Sequence, residues 1–246
     1  MRRLLKWLLW RFFLAQIYLV MALIGLFMVP YALVSRRGAI IACKAYCRWV
    51  LWTAHWMLGI KNEVRGEIPA GKVIVAAKHQ SFMDILMIFG ALPSAKFIMK
   101  RELLWTPIIG LYAKRLGCIP VNRGKKGAAI SSMVRAVTHE FKEAGQLVIY
   151  PQGTRVAPGI RKSYKVGTAI LYEELAYTCV PVATNVGLFW PKRGTFSSGR
   201  AVIEFLKPIP PGSRRDEFLS ELEELIESRS NCLMSEAISE RPARSD

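Results

Sequence analysis

The chain has 246 residues, of which 52% are hydrophobic, and carries 35 Lys and Arg against 18 Asp and Glu, for a formal charge of +17. This length and apolar content suffice for one domain of ordinary size with an additional segment, and they exclude a chain that is disordered throughout. The excess of positive charge predicts an anionic partner, such as nucleic acid, phospholipid headgroups or a phosphorylated substrate.

The positive charge at the N-terminus is interleaved with apolar residues. No acidic residue precedes Glu63, whereas nine Lys or Arg residues do, among Trp, Phe, Leu and Ile. Basic residues that border long apolar runs fit anionic lipid better than DNA. We therefore expect a membrane bilayer as partner and no nucleic acid. A purely solubilising role for these charges is the alternative.

Residues 12–35 form the first apolar segment, 24 residues without a charge. As a helix this segment would be roughly 36 Å long, enough to enter a bilayer. A secretory signal is a competing interpretation, but the stretch is long for a signal and no clear small-residue cleavage site follows. Both flanks are basic, so the positive-inside rule assigns no orientation to a single span. We favour a re-entrant hairpin that anchors from one side over a full crossing.

Residues 39–60 form a second, different segment, in which Lys44, Arg48 and His55 fall within about 40° of one another on a helical wheel. The other faces are aromatic and aliphatic, which is typical of a helix lying in the membrane interface. Residues 1–61 are therefore predicted to be membrane-anchoring helices, followed by an α/β domain over 62–235 and a polar tail over 236–246.

After Lys61, short apolar runs alternate with longer helical patterns, as in an α/β domain. The predicted strands cover 72–77, 96–100, 118–122, 146–150, 180–186 and 201–206. The predicted helices cover 81–92, 105–116, 126–144 and 163–176, with a C-terminal amphipathic helix from Ser213.

The five cysteines are an odd number without metal-ligand spacing, which favours free thiols in a reducing compartment. We expect no metal. No glycine-rich nucleotide loop is present, so we also expect no bound cofactor.

The stretch KHQSFMD, residues 78–84, lies between a predicted strand and a predicted helix and has two interpretations. In the first, Ser81 caps the helix with Asp84 as its reciprocal partner, which leaves His79 without a role. In the second, the turn lets His79 fold over the first helical turn, where Asp84 accepts a hydrogen bond from Nδ1–H. Nε2 would then be free to take a proton as a general base.

Four stretches in order resemble the glycerolipid acyltransferase family, close to the 1-acylglycerol-3-phosphate O-acyltransferases. They are residues 79–84 (HQSFMD), residues 100–123 with KREL, Pro107, Gly110 and GCIPVNR, residues 150–155 (YPQGTR) and residues 180–182 (VPV). The resemblance implies an α/β fold with a mixed sheet flanked by helices, following the N-terminal helical hairpin. It also implies that His79 is the base, that Asp84 orients it, that Arg123 binds substrate phosphate and that residues 180–182 lie near the acyl-binding region.

Residues 151–155 (PQGTR) place Gly153 where backbone can approach a ligand, with Thr154 and Arg155 as donors; an ordinary turn is the alternative. The family usually has Pro-Glu-Gly-Thr-Arg here, so Gln152 keeps the shape of the side chain but loses its charge, which leaves the acceptor open. The residues predicted to bind substrate are Lys100, Arg123, Gln152, Gly153, Thr154 and Arg155.

The resemblance implies transfer of a fatty acyl group from acyl-CoA or acyl carrier protein to the sn-2 hydroxyl of lysophosphatidic acid. The free cysteines and a carrier-bound donor favour the cytoplasmic face of the membrane for this reaction. Three alternatives are open. The acceptor is another lipid precursor, such as a lyso-ornithine lipid or glycerol 3-phosphate. The protein is a hydrolase with Ser81 as nucleophile. It is a noncatalytic binder of anionic lipid or nucleic acid.

Overall fold

A computed structural model describes residues 2–122, 126–141 and 145–240. The chain begins with helices α1 (Arg2–Phe27), α2 (Val29–Val34) and α3 (Arg36–Leu58). Ser35 is extended between α2 and α3, and its side chain accepts a hydrogen bond from the Arg37 backbone N–H, which caps α3. Gln16 on α1 donates to Thr53 on α3 at 3.1 Å. The helical hairpin predicted for the N-terminus is therefore present.

Within the described residues, seven strands form one sheet in the order β1-β7-β6-β2-β5-β3-β4. The strands are β1 (Ile60–Arg65), β2 (Val73–Ala77), β3 (Ala95–Lys100), β4 (Ile119–Val121), β5 (Gln146–Ile149), β6 (Cys179–Thr184) and β7 (Gly199–Phe205). The central strand β2 pairs in parallel with β5 and β6, whereas β7 runs antiparallel to β6. This confirms the predicted mixed sheet.

The remaining helices are α4 (Met83–Ala91), α5 (Pro107–Leu116), α6 (Lys126–Glu140), α7 (Val166–Leu175) and α8 (Arg215–Ser239), with 3₁₀ segments at Arg101–Trp105 and Val186–Leu188. Strand β1 was not predicted, because its polar sequence IKNEVR follows a helix directly and lies at the sheet edge. Helix α8 continues past residue 235, where the polar tail was predicted to begin, and residues 241–246 lie outside the described chain.

Alternate residues of β2 face two different helical layers. Val75 and Ala77 face a core shared with α1, α3, α4 and α5, whereas Ile74 and Ala76 face a core shared with α7 and α8. Phe13 of α1 is fully buried in the first core and packs edge-to-face on Trp190 at a centroid distance of 5.4 Å. The N-terminal hairpin therefore shares a core with the sheet.

Strands β2, β5, β3 and β4 are mutually parallel, so their carboxyl ends meet at one edge of the sheet. His79 lies just beyond β2, Tyr150 follows β5, Lys100 ends β3 and Asn122 follows β4. Arg123, the next residue, lies outside the described chain. The parallel pairing therefore brings residues of three predicted motifs to this edge, while residues 180–182 lie within β6.

Candidate active site

The Asp84 carboxylate lies at the centre of a polar cluster in the first turn of α4 and is fully buried. Its Oδ1 accepts hydrogen bonds from His79 Nδ1 at 2.9 Å and from the Tyr150 hydroxyl at 3.0 Å. Its Oδ2 accepts from the backbone N–H groups of Gln80 at 2.8 Å and Ser81 at 2.7 Å. These four donors compensate the buried negative charge and fix its orientation.

The Ser81 hydroxyl accepts a hydrogen bond from the Met83 backbone N–H at 3.0 Å and is fully buried. The N-cap residue of α4 is Phe82, one residue after the predicted Ser81, and its side chain makes no capping hydrogen bond. Ser81 and Asp84 on either side of it still accept backbone N–H groups of this turn, through the Ser81 hydroxyl and Oδ2 of Asp84, while Oδ1 of Asp84 holds His79.

His79 is half-buried and stacks on the Tyr150 ring, with centroids 4.0 Å apart and planes at 19°. Burial, and then the negative charge of Asp84, raise the pKa of Tyr150 well above its usual value, so this phenol keeps its proton and donates to Asp84. Because Nδ1 of His79 faces a carboxylate, it carries the ring proton of the neutral imidazole. Nε2 is then the nitrogen available to accept a proton.

A cavity of about 630 Å³ opens between the N-terminal hairpin and the carboxyl edge of the sheet. Its polar lining includes His79, Lys100, Thr154, Arg155 and Lys192. The rest is mainly apolar and comes from α1, α3, α4, α5 and β3, including Ile24, Tyr46, Phe89, Phe97, Tyr112 and Leu116. A histidine and three cations thus share one cavity with a long apolar wall.

Only some of the predicted substrate-binding residues that the structure describes line the cavity. Lys100, Thr154 and Arg155 line the cavity. Gly153 has φ +67°, and a Cβ there would lie 2.7 Å from Lys165 Nζ, so the turn favours glycine. Gln152 is 1% exposed, and its amide donates to Glu227 at 3.4 Å.

Three residues at or behind the site were missed by reasoning from the sequence. Tyr150 is part of a predicted motif but had no assigned role. Its position directly after β5, which pairs with β2, could have indicated that it lies near His79. Lys192 belongs to no motif and follows the 3₁₀ segment after β6. Glu227 is one of several glutamates on α8, and nothing in the sequence separates it from its exposed neighbours.

The mixed sheet between two helical layers is also the fold of a solved acyltransferase. The structure of the 1-acyl-sn-glycerophosphate (LPA) acyltransferase PlsC from Thermotoga maritima has a TM-score of 0.79 to this chain at 22% sequence identity, and the match covers 95% of this chain and 99% of that one.

The acyltransferase family model matches residues 60–185, and the chain belongs to this family. This confirms the family that the four motifs predicted.

Curated relatives of similar sequence are also named 1-acyl-sn-glycerol-3-phosphate acyltransferases. A 1-acyl-sn-glycerol-3-phosphate acyltransferase of Pseudomonas aeruginosa is 29% identical over 151 residues, which is 61% of this chain and 59% of the relative. The 1-acyl-sn-glycerol-3-phosphate acyltransferase alpha of Bos taurus is 30% identical over 180 residues, which is 71% of this chain and 63% of the relative. The match thus spans about three fifths of the length of these relatives.

Proposed function

We propose that the protein transfers a fatty acyl group from a thioester of coenzyme A or acyl carrier protein to the sn-2 hydroxyl of 1-acyl-sn-glycerol 3-phosphate, giving phosphatidic acid. The observation that carries this proposal is His79, whose Nδ1 lies 2.9 Å from Asp84 and whose ring lines a cavity with cationic and apolar walls. The names of the relatives, which denote the same reaction, support the choice of acceptor.

In the proposed mechanism His79 Nε2 accepts the proton of the sn-2 hydroxyl as its oxygen attacks the thioester carbonyl carbon. Asp84 holds the ring and compensates the imidazolium charge that develops. When the tetrahedral intermediate collapses, the C–S bond breaks and the departing thiolate takes the proton from His79. The products are the ester and the free thiol, and no acyl-enzyme forms.

The cavity lining accounts for both parts of the acceptor. Arg155, Lys100 and Lys192 carry positive charge, and Thr154 has a hydroxyl donor, so together they suit a phosphate monoester. Arg123 is proposed as a further phosphate ligand from the sequence resemblance. The apolar wall between α1, α3, α4 and α5 suits a hydrocarbon chain.

The N-terminal hairpin supports membrane association from one side. Among the described helices, α1 has the only segment, Trp7–Phe27, that is long and apolar enough to cross a membrane. One side of α1 is docked on the domain, where Phe13 is buried and Gly25 O accepts from the Tyr112 hydroxyl at 2.9 Å. The other side exposes large apolar residues, namely Leu4, Leu5, Trp7, Leu8, Leu9, Phe12, Tyr18, Leu19, Leu23, Leu26 and Phe27. We propose that this side enters one leaflet, with the site at the headgroup plane on the cytoplasmic face.

The proposal is tested with purified protein in vesicles, supplied in turn with acyl-CoA or acyl carrier protein as donor. The acceptors are lysophosphatidic acid, a lyso-ornithine lipid, glycerol 3-phosphate and none. We expect lysophosphatidic acid to give phosphatidic acid at least about tenfold faster than any other acceptor gives its product. This ratio corresponds to about 1.4 kcal/mol of discrimination between acceptors. A faster reaction with a different acceptor contradicts the assigned substrate.

The reaction without acceptor separates acyl transfer from hydrolysis. A Ser81 nucleophile would release free fatty acid, and Ser81→Ala would abolish this release. Because the Ser81 hydroxyl is fully buried and bound by the Met83 N–H, we expect Ser81→Ala to keep acyl transfer.

A further inference from the structure

A buried ion pair lies directly behind the proposed site. Lys78 precedes His79 and is 1% exposed, and its ammonium pairs with the carboxylate of Glu227, which is 3% exposed on α8. Neither charge reaches bulk water, so removal of either partner would leave an uncompensated buried charge. The ion pair therefore connects the end of β2 to the C-terminal helix, which lies outside the residues that the family model matches.

The Glu227 carboxylate has two further hydrogen-bond partners. Its Oε2 pairs with Lys78, while its Oε1 accepts from the Tyr164 hydroxyl at 3.1 Å and from Gln152 Nε2 at 3.4 Å. Burial, followed by the negative charge of Glu227, raises the pKa of Tyr164, so Tyr164 stays protonated and donates. The Glu227 carboxylate thus links Lys78 to Gln152 and Tyr164, two residues of a second segment of the chain.

These two residues are near the ends of the segment that carries Thr154 and Arg155. Gln152 lies before both residues and Tyr164 lies after them, next to Lys165, whose N–H donates to Pro151 O at 2.9 Å. In between, the Val156 N–H donates to His79 O at 2.8 Å. Glu227 therefore holds the segment of Arg155 on both sides, in addition to the direct hydrogen bond between Val156 and His79.

The charges in this cluster explain why residue 152 is neutral. Lys78 supplies one positive charge and Glu227 one negative charge, and Gln152 contributes a hydrogen-bond donor. A glutamate at 152 would bring a second carboxylate against Glu227 with one lysine to share, and like charges this close in a buried site are unfavourable.

We infer that Glu227 is a positioning residue for the acceptor, supplied by α8 in place of the glutamate that the family usually has at residue 152. This inference rests on the proposed function, because the segment positioned is the one that carries Arg155 for the acceptor phosphate. The carboxylate acts through Gln152, Tyr164 and Lys78 and does not contact substrate.

An exchange of the two side chains tests this inference. The variants are Glu227→Gln, Gln152→Glu and the double variant with both changes, and Glu221→Gln, an exposed glutamate on the same helix, is the control. We expect Glu227→Gln to raise the KM for lysophosphatidic acid about tenfold or more with little change in the KM for the donor, because binding of the acceptor phosphate is what is lost. The double variant keeps one carboxylate and one amide in the buried cluster with their positions exchanged, so we expect its acceptor KM to return to within about threefold of wild type.

A measurement without substrate follows the same segment. Arg155, Arg161 and Lys162 are trypsin sites between Gln152 and Tyr164. We expect faster cleavage at these sites in Glu227→Gln and protection like wild type in the double variant and in Glu221→Gln. Since this assay needs no acyl transfer, a wild-type protein that makes no phosphatidic acid would contradict the proposed function, while the cleavage pattern would still decide the role of Glu227.

A variant that removes both buried charges separates positioning from folding. Lys78→Met with Glu227→Met leaves no unpaired charge, and such apolar replacements of buried ion pairs are often neutral or stabilising. This variant still lacks the acceptor for Gln152 and Tyr164, so we expect a folded protein with a raised acceptor KM. A wild-type acceptor KM and cleavage pattern in this variant, or a double exchange no better than Glu227→Gln alone, would overturn the inference.

Discussion

At the scale of single residues, the two oxygens of Asp84 have different partners. Oδ2 accepts from the backbone of Gln80 and Ser81, which stabilises the turn before α4, and Oδ1 accepts from His79 and Tyr150. The turn therefore holds the carboxylate in place before any substrate binds. In the proposed reaction this preorganisation keeps Nε2 of His79 directed at the hydroxyl to be deprotonated.

Tyr150→Phe tests this arrangement. The substitution removes one donor to Asp84 but keeps the aromatic ring stacked on His79. Loss of a hydrogen bond to a charged group is worth about 1.5–3 kcal/mol, so we expect kcat to fall about 10- to 150-fold with the acceptor KM nearly unchanged. Steady-state kinetics of phosphatidic acid formation measure this, with Tyr177→Phe as a remote control. A kcat equal to wild type would show that the Tyr150 hydroxyl has no role in orienting Asp84.

His79 and Asp84 were predictable from the sequence because a local turn brings them together. Five residues span a strand end and the first turn of a helix, and simple geometry then limits how the side chains can meet. Strand pairing brings Tyr150 to Asp84, which lies 66 residues away in the chain. The packing of α8 brings Glu227 to Lys78, which lies 149 residues away. The sequence marks Tyr150 only by its position after a predicted strand, and no local pattern distinguishes Glu227.

At the scale of elements, α5 packs unusually close to the 3₁₀ segment before it. The Gly110 N–H donates to Thr106 O at 2.7 Å, and a Cβ on Gly110 would lie 2.0 Å from the Leu104 carbonyl oxygen. Both elements line the cavity, through Leu103 and Ile109 among others. The glycine therefore determines the shape of this wall.

Gly110→Ala is expected to destabilise the protein by about 1–3 kcal/mol, since the added methyl group must displace backbone. The matched control is Gly90→Ala in α4, where the nearest atom to an added Cβ is Cys47 Cβ at 3.9 Å. We expect this control to be neutral or slightly stabilising, because alanine favours the helix. Thermal unfolding of both variants checks the prediction, and equal midpoints would contradict it.

A charge network joins β1, β7 and α8 at the β1 edge of the sheet. The Arg65 guanidinium donates to Glu63 and Glu236, both at 2.7 Å, and Arg229 donates to Glu204 and Glu236. The hydrogen bond from Arg65, with that from Arg229, lowers the pKa of Glu236 below its ordinary value of 4.5. A carboxylate whose pKa is lowered on folding stabilises the fold at pH values above its ordinary pKa. This stabilisation is lost as the pH falls through the pKa of the folded state.

Glu236→Gln should therefore lower the melting temperature at pH 7, and the difference from wild type should shrink as the pH falls through the lowered pKa of the folded state, because the charge of the carboxylate is lost there. Because these side chains are partly exposed, solvent screening limits the effect to about 1–3 °C. Differential scanning calorimetry over a series of decreasing pH values measures it. A difference that stays constant down to the lowest pH at which the wild type is folded would assign the effect to packing instead of charge.

Elements that were predicted and elements that were missed differ in their burial. The central strands β2, β5 and β6 are apolar on both faces and were recognised from short apolar runs. Strand β1 has one buried residue, Ile60, and its pairing with β7 joins residues 139 apart in the chain, so its own sequence resembles a polar connection.

At the scale of the whole molecule, the charge and the exposed apolar surface bear on the proposed association with a membrane. The net charge is +17, and the exposed side of α1 is apolar. Trp105, at the end of the 3₁₀ segment beside α5, is 83% exposed, and the neighbouring Leu103 and Ile109 line the cavity. We expect this tryptophan to enter the headgroup region near the cavity.

Trp105→Ser should reduce partitioning to anionic vesicles about tenfold, because burial of a large apolar side chain is worth about 1.5–3 kcal/mol. The matched control is Ile238→Ser near the end of α8, which is 60% exposed and should bind as wild type. High salt should weaken binding of all variants by screening the basic surface. Vesicle sedimentation measures both effects, and equal loss in the two variants would contradict a specific insertion at Trp105.

The central claim is that His79 is the general base of an acyl transfer to lysophosphatidic acid. The most direct measurement is the rate of phosphatidic acid formation by His79→Ala in vesicles with acyl donor, beside wild type and a His55→Ala control on α3. General base catalysis predicts a loss of about two to four decades for His79→Ala, with His55→Ala close to wild type. Turnover by His79→Ala at the wild-type rate would contradict the claim.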